Sequence, residues 1–165
     1  MIFRASLVLA ALALCIPHAA AQSVRALGDF RDWSAYSASE GTGAVCFALS
    51  KPKEVVPTPD GFTEAYLYLT NRPAEAVRNE INLVAGFAFA PDTPATLTIS
   101  GQSFDLFTEG DAAWLLDPSR NEDLAGVIRA GSLLTIEGTS DKGIRVVETF
   151  SLSGATAASR AIGEC

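Results

Sequence analysis

The sequence predicts an all-β domain, an antiparallel β-sandwich of about seven or eight strands with two short helices, one between late strands and one C-terminal. Three observations point there. Apolar residues alternate with polar or small ones at period two along most of the chain beyond residue 44. Gly, Pro, Asp or Asn punctuates nearly every gap between these runs. Only two stretches show helical spacing instead. Alternation of this kind turns one face of each strand to a core and the other outward.

Taken in order, Val45, Phe47 and Leu49 alternate with Cys46, Ala48 and Ser50. Ala65, Leu67 and Leu69 alternate with Tyr66, Tyr68 and Thr70. Further runs are Glu80 to Phe87, Ala95 to Ser100, Ser103 to Thr108, Leu133 to Glu137 and Ile144 to Leu152. Gly101-Gln102 between two runs reads as a tight hairpin turn. The Pro-rich stretch Lys51 to Gly61 reads as a surface loop and a candidate for mobility. Ser119 and Glu122 form a capping-box pattern ahead of Leu124, Val127 and Ile128, with Gly131 as the stop of a helix. Ala155 to Ile162 is a second helical piece, too short to be stable without packing.

Residues 1–21 read as a signal peptide. Arg4 supplies the positive n-region, Ala5 to Ile16 is an apolar stretch too short to span a bilayer, and Ala19 and Ala21 suit cleavage before Gln22. Residues 22–165 are then one domain with no transmembrane segment. Removing the leader takes away the only His (His18), the only Met (Met1) and Cys15. Histidine-based catalysis and His-ligated metals are excluded on that reading. The net charge of −7 becomes more negative still without Arg4 and argues against nucleic acid or anionic membrane surfaces as partners. Export, to the periplasm or to the outer membrane or cell surface, makes the remaining thiols informative. Cys46 and Cys165 can pair in only one way, and an oxidising compartment permits the bond. Two free thiols are the alternative.

Without His no catalytic triad is available, and no glycine-rich phosphate cradle is present, so neither a catalytic residue nor a cofactor is expected. Carboxylates are plentiful, yet the neighbours Asp29 with Asp32, Glu109 with Asp111 and Glu122 with Asp123 read as solvated turn or helix-start residues. A calcium site from Glu109, Asp111, Asp117 and Asp123 lacks the EF-hand pattern. Glu148 is the carboxylate in an odd place, on the apolar phase of Val146, Phe150 and Leu152. It reads as structural, either paired with Arg72 or Arg129 or turned outward by a β-bulge at Val146-Val147. Tyr66 and Tyr68 share the face opposite Ala65, Leu67 and Leu69. With Arg72 and Trp33 or Trp114 nearby, they could stack on a sugar or anchor a protein. Packing under a partly covered face is the alternative for them.

A family resemblance joins these pieces. Phe30-Arg31-Asp32-Trp33, Cys46-Phe47-Ala48-Leu49-Ser50 with Pro52, Thr70-Asn71-Arg72-Pro73, Val84-Ala85-Gly86-Phe87, Phe104 to Leu115, Gly138-Thr139-Ser140 and Thr149 to Gly154 come in this order. Together they resemble the invasion-associated locus B proteins of alphaproteobacteria. Leu133-Leu134 and Asp141-Lys142-Gly143 depart from the family pattern. The resemblance implies an exported envelope protein with one Cys before Phe on an early strand and one at the C-terminus. It carries over no catalytic residue, and an invasion role would be inherited from the founding member. The expectation is a non-enzymatic envelope protein acting through envelope or host protein or glycan contacts. A carboxylate-dependent periplasmic glycan hydrolase and a purely structural envelope protein are the alternatives.

Overall fold

The computed structural model describes residues 24–41 and 43–165, so the expected leader lies outside the described residues. Eleven strands pair antiparallel in one row. They are β1 (Arg25–Phe30), β2 (Trp33–Glu40), β3 (Gly43–Ser50), β4 (Glu54–Val56), β5 (Tyr66–Arg72), β6 (Val77–Val84), β7 (Ala95–Ile99), β8 (Gln102–Glu109), β9 (Ala112–Leu115), β10 (Leu133–Thr139) and β11 (Arg145–Ser151). Helix α1 (Asn121–Ala130) lies between β9 and β10, and α2 (Ala155–Gly163) follows β11.

The row runs β1-β2-β3-β5-β6-β9-β8-β7-β10-β11-β4. A short link ties one end of the row, β4, to the third strand from the other end, β3. β3 pairs with β2 and β5, whereas β4, only three residues further on, pairs with β11. The bend falls at Lys51-Pro52, and the Lys53 N–H donates to the Thr149 carbonyl at 2.7 Å. The sheet therefore wraps round one core. Leu67, Leu69, Ile81, Leu83, Leu97 and Ile99 from one set of strands meet Phe104, Leu106, Leu134, Ile136, Val146 and Phe150 from the rest, all buried. Each such side chain stabilises the fold by about 1.5–3 kcal/mol. Helix α1 packs on β6 and buries Leu124 and Ile128, while α2 packs on β1–β3 and buries Ala155, Ala158 and Ile162.

The fold class is as read from the sequence; the strand count is higher. Seven strands coincide with the expected runs, and β1, β2, β4 and β9 are additional. β2 is built largely from Ser and Ala, β1 mixes charged and apolar residues around Gly28, and β9 has only four residues, so none carries much alternation of its own. β4 corrects the expected loop: its backbone pairs with Val147 to Thr149, and Pro59 is buried. The hairpin between β7 and β8 stands where expected, but its turn residues are Ser100-Gly101, both at positive φ (49° and 81°). The helix start also shifts. Asp117 caps a single 3-10 turn, Pro118–Arg120, by accepting the Ser119 N–H at 3.0 Å; α1 itself starts after Arg120 with no side-chain cap, and Glu122 turns to Asn79 and Arg129.

Glu148 differs from both structural expectations. Its register with Ile136 is regular on either side, so no bulge turns it outward. It points inward, 1% exposed, and neither carboxyl oxygen has a hydrogen-bond partner among the described residues. Arg72 and Arg129 are engaged elsewhere, by Glu75 and Glu80 and by Glu122. Burial pushes the Glu148 pKa up to about 8, so the group is held as a neutral acid at neutral pH.

A disulfide links Cys46 in β3 to Cys165 beyond α2, with Cα atoms 6.0 Å apart. It fastens the end of the short helix to the wall. Asn71, buried in β5, adds a polar tie by donating to the Ile162 carbonyl at 3.0 Å and accepting the Asn79 N–H at 2.8 Å.

Candidate binding surface

Alternation that buries Ala48, Leu67, Leu69, Leu83 and Leu106 turns their neighbours outward. Cross-strand register then lines these neighbours up. One row runs Leu49, Tyr68, Asn82, Trp114 and Phe107 across β3, β5, β6, β9 and β8. The next runs Tyr36, Phe47, Thr70 and Glu80 across β2, β3, β5 and β6. The result is an aromatic band on one sheet face. Tyr36 stacks on Phe47 with centroids 5.3 Å apart, Phe47 lies 6.1 Å from Tyr68, and Tyr68 lies 6.0 Å from Tyr66. At the far side Trp114 and Phe107 stack at 5.2 Å.

The residues singled out from the sequence, Tyr66, Tyr68, Arg72 and Trp114, all stand on this face. The two readings of the tyrosines merge: each ring packs against a neighbour while remaining half-exposed. Trp33 does not join them. It is 1% exposed in the core, and its indole N–H donates to the Ser151 carbonyl at 3.0 Å, tying β2 to β11. Tyr36, Phe47, Asn82 and Phe107 were missed. Only their outward phase marked them in the sequence, and adjacency across strands is what makes them one surface.

Three concavities shape the face. The largest, about 720 Å³, is lined by Arg31, Lys51 and Lys53 and by Tyr36, Tyr66 and Tyr68. Lys51 pairs with Glu64 at 2.6 Å and Lys53 with Asp32 at 2.5 Å. The Tyr66 hydroxyl donates to Glu64, and that bond raises its pKa; for Tyr68 burial does so. A second depression, about 380 Å³, runs between Phe47, Tyr68, Arg72, Asn82 and Trp114. Arg72 is fixed there by Glu80 at 2.8 Å and Glu75 at 2.9 Å, and the Glu80 bond raises its pKa further. The third, about 260 Å³, lies behind Trp114 and Phe107 beside Glu80, Glu109 and Asn121. Rigid amphipathic rings beside held charged groups can grip a ligand with little loss of side-chain freedom.

The carboxylates considered earlier are mostly engaged locally. Asp29 accepts from the Ser34 hydroxyl at 2.6 Å, Asp32 is held by Lys53, and Asp117 caps the turn before α1. Among the described residues no group of three His, Cys, Asp or Glu is placed to hold a metal ion, so Glu109, Asp111, Asp117 and Asp123 are not assembled into a site. Among the same residues no helix is long and apolar enough to cross a membrane.

The fold recurs in a solved structure. The crystal structure of invasion associated protein B from Bartonella henselae matches with a TM-score of 0.58, over 83% of this chain and 95% of that one, at 16% identity. No family model and no curated protein sequence matches the chain. The likeness therefore establishes a fold shared with that protein.

Proposed function

We propose that the chain is an exported envelope protein that works by binding, not by catalysis, through the aromatic face of β2, β3, β5, β6, β9 and β8. The observation that carries the reading is the register of half-exposed rings on five of six adjacent strands, with Asn82 of β6 between the two ring clusters and fixed charges beside them. A soluble domain places most aromatic rings inside; a contiguous outward band marks a contact surface. The Cys46–Cys165 disulfide suits the oxidising compartment that the leader predicts. The Bartonella protein is named for invasion, and contact with a host surface is one use to which such a face could be put.

The test is capture of envelope and host-surface components by the purified protein, beside its Trp114→Ala and Tyr68→Ala variants. Specific retention that both variants reduce by about tenfold supports the reading. Retention unchanged by either variant, or robust turnover of a glycan that Glu109→Gln abolishes, overturns it. The second outcome would point to the alternative of a hydrolase using the groove behind Trp114, where Glu80 and Glu109 both reach.

A further inference from the structure

We propose that the groove between Tyr36, Tyr66 and Tyr68 binds an acidic glycan, its sugar rings against the phenols and its acid groups against the basic rim. The proposal rests on the binding reading above and adds the class of ligand. All three tyrosines of the chain line this one concavity of about 720 Å³, together with Arg31, Lys51 and Lys53. In a chain of net charge −7, a hollow with three basic residues and Asp32 as its acidic lining is an island of opposite sign. Glu64, which holds Lys51, and Asp29, which holds the Ser34 hydroxyl, stand behind that lining, so the excess of two positive groups belongs to the lining alone.

The rings are already in place. Tyr36 is stacked on Phe47, Tyr66 leans on Tyr68, and the Lys51 ammonium sits 5.2 Å from the Tyr66 ring centre. Half-exposed phenols present flat apolar faces with a hydroxyl at the rim, which suits the alternating C–H and O–H surfaces of a pyranose. Both lysine pairs are exposed, so an incoming carboxylate can exchange with Glu64 or Asp32 at small net cost. Arg31 reaches only the Ser153 hydroxyl, at 3.4 Å, among the described residues. So small an excess of charge fits a ligand with spaced acid groups. A nucleic acid, with a phosphate at every nucleotide, calls for a longer basic track.

The experiment is calorimetric titration of the purified protein with tetragalacturonate, cellotetraose, inorganic phosphate and single-stranded DNA. Tetragalacturonate is expected to bind, more weakly as salt is raised, and the other three are not. The double variant Lys51→Gln/Lys53→Gln and the variant Tyr66→Ala should each weaken binding about tenfold, and Lys142→Gln, an exposed lysine outside the groove, by less than about twofold. The lysines are exposed, so the double variant keeps the fold, which a melting curve verifies. Equal binding of cellotetraose, competition by phosphate alone, or tighter binding of DNA overturns the proposal. Absent glycan binding beside Trp114-dependent capture of an envelope protein overturns it too, while the binding face stands. Absence of both removes both readings.

Discussion

Glu148 of β11 is in register with Val55 of β4, and its carboxyl group is buried in the core with neither oxygen hydrogen-bonded among the described residues. A carboxylate in that position would be an uncompensated charge, so the proton stays on. The core thus contains a group whose ionisation opposes folding.

Stability is expected to depend on pH in a definite direction. In the unfolded chain Glu148 titrates near about 4.3, and in the fold near about 8. Between these values the folded state holds the extra proton. Stability from this group is full below the unfolded pKa and falls as pH rises, by about 1.4 kcal/mol per unit, until the folded pKa is passed. Glu148→Gln should be more stable than the parent at pH 7 by a few kcal/mol and flatter above pH 5. Asp32, Glu64 and Glu137, lowered by Lys53, Lys51 and Arg145, lose their contributions only in acid and do so in both proteins. Denaturant midpoints at pH 5, 7 and 9 decide it: parallel curves would sink the prediction.

The disulfide should dominate the stability of the α2 end. It spans 119 positions, and chain entropy for a loop of that length gives about 5 kcal/mol as an upper figure. Reduction, or Cys165→Ser, is expected to lower the melting temperature and to speed exchange of α2 amides before those of β5 and β6. Mass mapping without reductant should link the Cys46 and Cys165 peptides; free thiols in protein recovered from the envelope would contradict the bond.

Gly154 is the glycine least replaceable by alanine. Its φ is +99°, and an added Cβ would lie 1.7 Å from the Phe30 carbonyl oxygen. The chain entering α2 passes directly over the β1–β2 turn there. Gly154→Ala should destabilise by about 4 kcal/mol or more. Gly143→Ala, at φ +74° in open space, should cost only about 1 kcal/mol. Similar thermal shifts for the two would refute the close approach.

The two tryptophans should report separately. Trp33 is buried and Trp114 half-exposed, so acrylamide should quench the Trp33→Phe variant strongly and the Trp114→Phe variant weakly. Trp33→Ala is expected to destabilise by about 3–5 kcal/mol. A ligand on the aromatic face near β9 should protect Trp114 alone.

Seven strands were legible because each carries its alternation within itself, as in Leu97 and Ile99 of β7 or Val146 and Phe150 of β11. β4 was not, because Glu54-Val55-Val56 becomes a strand only through the edge that β11 offers. The site divides in the same way. Tyr66 and Tyr68 stood out as neighbours on one strand face, whereas Tyr36, Phe47 and Phe107 are remote in the chain and meet only through register. The inward phase of Glu148 was readable from its neighbours, but its lack of a partner was not. That depended on where Arg72 and Arg129 end up.

Local chemistry therefore settled what repeats along the chain: strand, turn, helix piece and the phase of each side chain. These follow from backbone geometry and residue type over a few positions. The closure of the sheet through the bend at Lys51-Pro52, the aromatic band and the isolation of Glu148 were decided in three dimensions. Each depends on which distant strand becomes a neighbour, and that is set by packing the whole core at once.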